Sequence, residues 1–147
     1  MENKVYKRIK DSFDRQNFLA LIGARLESAE EGEVVISCNY RDDLTQQQGL
    51  LHGGVVTTIA DVTCGYTALS VMPEDKEVLT VEFKINLLRP VKAKKIVAVG
   101  KVVKRGRNLV ITESEVYDPE TDKLLAKMLA TMIPALPDAA ACKTPES

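Results

Sequence analysis

The chain of 147 residues is long enough to bury one hydrophobic core, and its 45% hydrophobic content is typical of a globular domain. Its 20 Lys and Arg nearly balance its 21 Asp and Glu, which argues against a surface built as a whole to bind nucleic acid. The N-terminus lacks the apolar segment of a signal peptide, and no uncharged apolar run is typical of a membrane span. We therefore expect a cytoplasmic protein without a membrane segment.

The cysteines and the histidine argue against a metal site. The three cysteines, Cys38, Cys64 and Cys142, have no CxxC or other ligand spacing, so neither a disulfide framework nor a zinc site is expected. The chain has only one histidine, His52. We expect no metal, and Cys64 is interpreted as a small buried hydrophobic residue.

The first third of the chain predicts a helix, a hairpin and a loop. Apolar residues at steps of four predict an amphipathic helix near the N-terminus, assigned to residues 1–17. Apolar runs at 18–26 and 34–40 flank the turn-like sequence SAEEGE, and we predict that they are two strands of a hairpin. Residues 41–51 have no periodicity and predict a loop that leads to His52.

A buried helix is predicted from Gly53 to about Val71. One stripe of apolar residues runs along it at helical spacing, and other apolar residues extend onto a second face. A helix that is apolar nearly all round is a buried one. The sheet of the same chain can cover one face, so the second face predicts a symmetric partner chain.

The rest of the chain predicts four strands and a tail. Residues 79–87 alternate strictly between apolar and polar side chains, and further strands are predicted at 95–104, 109–117 and 123–133. Their short connections, one of them at Gly106, favour a mostly antiparallel sheet. The prediction is therefore an α+β domain over 18–135, with a long central helix wrapped by the sheet, and a disordered tail at 136–147.

One carboxylate stands out on the predicted buried helix. Asp61 is the only formally charged residue between His52 and Glu74. Because an isolated carboxylate is costly to bury, Asp61 is either a functional group or an acid held for structure by a hydroxyl such as Thr57 or Thr58.

Three sequence features together resemble a known family. They are the run QQQGLLHGG at 46–54, an acid nine residues after His52, and the strand VEFKINLLRP at 81–90. In this combination the chain resembles the hotdog-fold acyl-CoA thioesterases of the phenylacetate-pathway type (PaaI-like), over roughly residues 18–133. The resemblance implies a hotdog fold and hydrolysis of an acyl-CoA to the free acid and CoA. It implies no cofactor, since CoA is part of the substrate, and it leaves aromatic and medium-chain acyl groups open.

The resemblance also implies roles for residues around the helix start. Helix N-termini carry unpaired N–H groups and a partial positive charge, and the Gly53 N–H would be the oxyanion donor. His52 would shape the turn and hold the carbonyl site, and Asp61 would act as general base or as nucleophile. An alternative for Gly53 and Gly54 is that they only permit a tight entry into the helix.

Two further polar residues are candidates for the site. Gln46 stands where related enzymes carry an Asn or Gln that contacts the thioester or the water, but a solvated loop residue is an equal alternative. Thr80 matches a position where some relatives orient water with a hydroxyl, while Gly65 departs from the hydroxyl that others carry four residues after the acid. Thr80 is also simply a residue that strands favour.

Helix geometry predicts that the site is shared between two chains. Eight residues at a rise of ~1.5 Å place Asp61 about 12 Å along the helix from Gly53, too far to reach a carbonyl held at its own helix start. Two such helices packed antiparallel across a two-fold axis would bring each Asp61 close to the Gly53 of the other chain. We therefore expect a homodimer, with a dimer of dimers as a further possibility.

Basic residues are concentrated in one segment. Nine of the 20 Lys and Arg lie in residues 84–107, which contain no acid. Because CoA is a polyanion, Arg89 and the turn Arg105-Gly106-Arg107 are candidates for contacts with its phosphates. The alternative is that acids of the following strand and turn neutralise these bases across the hairpin.

Two other functions are also compatible with the sequence. A hotdog dehydratase or hydratase would use His52 as a proton shuttle, and a non-catalytic module of the same fold would only bind acyl-CoA. The HGG sequence followed by Asp61 favours hydrolysis over both.

Overall fold

The computed structural model describes residues 3–137, and Cys142 and most of the predicted tail at 136–147 lie outside them. Within the described residues there are three α-helices and six strands. The helices are α1 (Lys4–Phe13), α2 (Asn17–Ile22) and α3 (Gly53–Leu69), and a 3-10 turn covers Asp42–Leu44. The strands are β1 (Ala24–Glu30), β2 (Glu33–Asn39), β3 (Glu77–Leu87), β4 (Lys95–Arg105), β5 (Val110–Tyr117) and β6 (Leu124–Ala135).

The six strands form one antiparallel sheet in the order β1-β2-β4-β5-β6-β3, and α3 lies across one face of it. The α+β prediction, with one long helix against a mostly antiparallel sheet, is confirmed. The last four strands begin and end within two residues of their predicted bounds.

The predicted strand at 18–26 is wrong. Residues Asn17–Ile22 form α2, which ends at Gly23 in the left-handed conformation (φ 77°), and β1 begins only at Ala24. A short apolar run fits a strand or a helix equally well. The helix is favoured because it buries Leu19 and Ile22, three residues apart, on one face.

The turn of the first hairpin is shorter than predicted. Strand β1 continues through most of the SAEEGE segment to Glu30, and β2 starts at Glu33, so Glu31 and Gly32 alone make the turn. Gly32 has φ 87°, a conformation that favours glycine over other residues, and its N–H donates to Ser70 Oγ at 2.9 Å. The turn is thus tied to the end of α3.

Helix α3 is held against the sheet by hydroxyl groups as well as by apolar packing. Thr112 Oγ1 donates to Cys64 O at 3.1 Å, and Ser114 Oγ donates to Ala60 O at 3.0 Å. The helix approaches β4 so closely that a Cβ on Gly100 would lie 2.2 Å from Thr67 Oγ1. These contacts fix the depth and rotation of α3, and therefore the position of Asp61.

The N-terminal helix predicted from the sequence packs against the end of α3. Asn3 caps α1 by accepting from Tyr6 N, and Ile9 and Phe13 are buried. Arg8 donates to the carbonyl oxygens of four residues in and after the last turn of α3, namely Leu69, Met72, Pro73 and Lys76. No helix within residues 3–137 is long and apolar enough to cross a bilayer.

Strand β3 is the outer strand of the sheet on the β6 side, and its other edge faces solvent in the single chain. Most of its residues are exposed, including apolar ones: Phe83 keeps 40% of its surface and Val81 keeps 55%. A long, apolar, unpaired edge is a template for pairing with another strand. This edge is the main apolar surface that the fold leaves uncovered next to α3.

Candidate functional site

The start of α3 is organised by His52. Its side chain is the N-cap, and Nδ1 accepts from Gly54 N at 2.8 Å. A Cβ on Gly54 would lie 2.9 Å from the same Nδ1, so this close approach requires a residue without a side chain. Gly53 N has no hydrogen-bond partner within the described residues and remains available at the positive end of the helix dipole.

A cavity of about 340 Å³ opens beside this helix start, and we call it the Gly53 cavity. Gln46, Gly53, Leu87 and Arg89 are among the residues that line it. Leu87, near the end of β3, lies against Gly53: a Cβ placed there would be 3.0 Å from Leu87 Cδ1. The structure therefore brings together three of the predicted site residues, Gln46, Gly53 and Arg89.

Gln46 is engaged in its own loop. Its Oε1 accepts from Gln48 N and from Leu50 N, and its Nε2 donates to Gln48 Oε1. The backbone around it is closed by Gln46 N to Leu50 O and Gly49 N to Gln46 O. In the single chain Gln46 thus holds the loop that leads to His52, while also lining the Gly53 cavity.

Asp61 is half-buried and bound to the edge strand. Thr80 Oγ1 donates to Asp61 Oδ1 at 2.9 Å. Burial raises the pKa of Asp61, and the hydrogen bond from Thr80 opposes that rise. The hydroxyls of Thr57 and Thr58 instead donate to the carbonyl oxygens of the residues four positions earlier, so neither holds the carboxylate.

A second cavity, of about 310 Å³, contains Asp61 and Thr80, and we call it the Asp61 cavity. Gly65 lies on its wall, one helical turn after Asp61, and a Cβ there would have no atom within 4 Å. Glu77, at the start of β3, also lines it.

The sequence did not predict the far wall of the Asp61 cavity. It is formed by Tyr66, whose hydroxyl is 3.0 Å from Ser12 Oγ and accepts from Gln16 Nε2 at 2.7 Å. Burial raises the pKa of Tyr66. The helical spacing identified Tyr66 only as an apolar core position, and nothing in the sequence relates it to the N-terminal segment.

The two cavities lie at different points along α3. Residues of the Gly53 cavity and of the Asp61 cavity do not overlap, and ~8 residues of helix, about 12 Å, separate Gly53 from Asp61. Strand β3 touches both, through Leu87 and through Thr80. Within one chain, therefore, the predicted oxyanion donor and the predicted carboxylate do not meet.

The basic candidates are also divided. Arg89 lines the Gly53 cavity and donates to Leu124 O at 2.7 Å. Arg105 lies 3.7 Å from Glu31 beside the far end of α3, ~25 Å along the helix from its start, and Arg107 is exposed next to it. Gly106 makes the turn, with its N–H donating to Leu109 O at 2.8 Å. Arg89 is thus the only one of these residues at the Gly53 cavity.

The antiparallel sheet with its single long helix, entered through an HGG turn and carrying an acid in mid-helix, defines a hotdog fold of the thioesterase type. The chain belongs to the thioesterase superfamily, whose family model matches residues 48–125.

Individual relatives agree with this assignment. A thioesterase family protein from Silicibacter pomeroyi has a solved structure with a TM-score of 0.84 and 39% sequence identity, covering 88% of this chain and 97% of that one. Human acyl-coenzyme A thioesterase 13 is 28% identical over 129 residues, which are 86% of this chain and 91% of that protein. The PaaI protein of the phenylacetic acid degradation operon of E. coli has a TM-score of 0.82, covering 90% of this chain and 94% of that one; at 18% identity it supports the fold alone.

Proposed function

We propose that this protein hydrolyses an acyl-CoA to the free acid and CoA at a site shared by two copies of the chain. In this site the Gly53 N–H of one subunit polarises the thioester carbonyl, and Asp61 of the other subunit assists the attack. Membership of the thioesterase superfamily supports the reaction class, and human acyl-coenzyme A thioesterase 13, by its name, acts on acyl-CoA.

One observation supports a site that is shared by two copies of the chain. Strand β3 contacts Gly53 at one end and Asp61 near the other, yet the two cavities of a single chain are separate. If β3 pairs antiparallel with β3 of a second chain, the end that contacts Gly53 in one chain lies beside the end that contacts Asp61 in the other. Each cavity is then completed by its counterpart.

The sequence of β3 favours a particular register for this pairing. In a two-fold antiparallel pair centred on Phe83, Glu82 of one strand lies opposite Lys84 of the other, and Val81 lies near Ile85. Neither charge has an ion-pair partner within the described residues. A two-fold axis centred on Glu82 or on Lys84 would instead place like charges opposite each other. The register at Phe83 therefore satisfies both charges and covers the apolar edge.

The uncovered face of α3 supports the same arrangement. Val55, Thr58 and Val62 lie at helical spacing on the first half of α3 and are only half-buried, whereas residues from Thr63 to Leu69 are buried throughout. A second α3 packed antiparallel against this face would cover it. The Asp61 of each chain would then lie near the Gly53 of its partner.

The chemistry follows from these positions. As general base, Asp61 takes a proton from water while the water oxygen bonds to the carbonyl carbon; the C–S bond then breaks, and the proton passes to the leaving sulfur. As nucleophile, Asp61 forms an anhydride as the thiolate leaves, and water then cleaves the anhydride. In both routes negative charge develops on the carbonyl oxygen, where Gly53 N–H stabilises it. His52 fixes the turn at the start of α3, and Thr80 holds the Asp61 carboxylate. Gln46 closes the loop that lines the Gly53 cavity.

We assign contacts with the CoA phosphates first to Arg89, because it lines the Gly53 cavity. Arg105, Gly106 and Arg107 lie ~25 Å away along the same chain, so they would reach CoA only from another copy. We therefore propose that role for these three residues only in a dimer of dimers. We also propose that the chain is of the PaaI-like type.

The reaction is tested by offering the purified protein a panel of acyl-CoAs and following release of free thiol. Asp61→Asn should lose about 10²- to 10⁴-fold in rate, the range for a positioned acid–base group. The matched control is Asp75→Asn, which removes an exposed acid that lines neither cavity and should keep full activity. An absence of thiol release from every substrate, or full activity in Asp61→Asn, would overturn the assignment.

The shared site is tested by mixing subunits. Asp61→Asn and Gly53→Val homodimers should each be inactive, but their heterodimer contains one intact Asp61–Gly53 pair. Random mixing should therefore restore about a quarter of wild-type activity, since half of the dimers carry one intact site out of two. If both sets of residues acted within one chain, mixing would restore nothing.

A further inference from the structure

We propose that the Asp61 cavity is the acyl subsite and that Glu77 makes it selective for acyl groups without a negative charge. This inference rests on the proposed thioesterase function.

The cavity has room for an acyl group next to the carboxylate. Its volume of about 310 Å³ is at the small end of the range for ligand sites. The space beside Asp61 exists because residue 65 has no side chain: a Cβ at Gly65 would meet no atom within 4 Å. An acyl chain attached to a carbonyl at Asp61 can therefore extend along α3 past Gly65.

The charges on its walls decide which part of the substrate enters. Among the described residues, Asp61 and Glu77 are the only charged side chains that line the cavity, and both are acidic. Arg15 is near Tyr66, but its Nε donates to Asp11 O at 3.1 Å and it does not line the cavity. A nucleotide with its phosphates would be repelled here, whereas Arg89 lines the Gly53 cavity. The acyl end of the substrate therefore enters the Asp61 cavity, and its CoA part extends past Gly53.

The same charges select among acyl groups. Glu77 is half-buried at the start of β3, close enough to Tyr66 to influence the phenol electrostatically. The other polar groups of this wall, Ser12, Gln16 and Tyr66, are neutral, and the first two both hydrogen-bond to the Tyr66 hydroxyl. An acyl group that ends in a carboxylate would place its charge near Glu77 with no cation among the described residues that line the cavity, so it is rejected.

Matched pairs of substrates test this selectivity. Hexanoyl-CoA and its ω-carboxy counterpart adipoyl-CoA have equal chain lengths, and benzoyl-CoA and 4-carboxybenzoyl-CoA form an aromatic pair. The wild type should prefer the uncharged member of at least one pair in kcat/KM by ~10-fold or more, because like charges in a partly buried site cost well over the energy of a tenfold change. Glu77→Gln should raise kcat/KM for the carboxylated member relative to the uncharged one and so reduce the preference by a similar factor.

Two further variants control the test. Glu74→Gln removes an acid three residues earlier that lines a different cavity, and it should keep the wild-type preference. Gly65→Val should lower activity towards hexanoyl-CoA and benzoyl-CoA more than towards acetyl-CoA, because its side chain occupies the open space.

The outcomes separate the two proposals. If the wild type hydrolyses both members of each pair equally and Glu77→Gln changes nothing, the acyl subsite is overturned while the thioesterase function stands. If no acyl-CoA is hydrolysed, the proposed function fails and this inference fails with it.

Discussion

Thr80 on β3 donates a 2.9 Å hydrogen bond to Asp61 on α3, and so joins the carboxylate of the central helix to the unpaired edge of the sheet. The strand on which Asp61 depends is also the strand with the largest exposed apolar edge. In the proposed function, catalysis and assembly therefore both depend on this one short segment.

We expect charge reversal on β3 to weaken the dimer and a double reversal to restore it. Lys84→Glu alone would create two Glu–Glu contacts across the two-fold axis, each costing up to about 1 kcal/mol, so the dimer Kd should rise roughly tenfold. Glu82→Lys combined with Lys84→Glu restores opposite charges. Sedimentation equilibrium measures the Kd. A double variant no tighter than Lys84→Glu would contradict the register centred on Phe83.

A cysteine at the proposed centre should cross-link the dimer. Opposite residues of antiparallel strands have Cα atoms about 4.5–5.5 Å apart, within the range of a disulfide. We expect Phe83→Cys, in a Cys142→Ser background, to give a covalent dimer on mild oxidation in a non-reducing gel. The control Leu87→Cys lies four residues from the centre, ~27 Å from its counterpart, and should stay monomeric on the gel. Cross-linking of both variants alike would argue for random collision.

The pH dependence of the rate should follow Asp61. In the proposed reaction its carboxylate must be ionised to act. Because burial raises the pKa of Asp61, activity should fall with decreasing pH at a higher pH than for an ordinary carboxylate. Thr80→Val removes the hydrogen bond that opposes this rise and should move the acid limb of the kcat/KM profile to still higher pH. Thr80→Ser keeps the hydroxyl and should leave the limb in place. A limb that did not move in Thr80→Val would mean that another group controls it.

Two glycines of the core should respond oppositely to alanine. Gly100→Ala places its Cβ 2.2 Å from Thr67 Oγ1 and 3.0 Å from Thr63 O, so we expect a loss of about 1–3 kcal/mol in the free energy of unfolding. Gly65→Ala meets no atom within 4 Å and removes a flexible residue from the helix, which should stabilise by up to ~1 kcal/mol. Urea denaturation at matched protein concentrations compares them. Equal stability of the two variants would show that α3 can move away from β4.

The sequence predicted the architecture because long periodic segments carry it. The alternation in β3 and the apolar helix from Gly53 were sufficient to define an antiparallel sheet around one helix. The error came in a short apolar run, 18–26, where helix and strand have the same pattern and only the packing of Leu19 and Ile22 decides.

At the site, the sequence identified groups but not their contacts. Asp61 stood out because it was alone, and the structure supplies its partner, Thr80, from 19 residues away. The wall made by Tyr66, Ser12 and Gln16 joins residues up to 54 positions apart, and no local pattern records such a contact. The same holds for Glu77, which in the sequence is one acid among 21.

The two contacts of β3, with Gly53 through Leu87 and with Asp61 through Thr80, have a consequence for enzyme assays. If each working site needs two chains, specific activity is not a constant of the polypeptide but depends on the total protein concentration. Dilution below the dimer Kd would silence the enzyme without unfolding it. In a cell, the amount of this chain would then set both how many sites exist and what fraction of them can work.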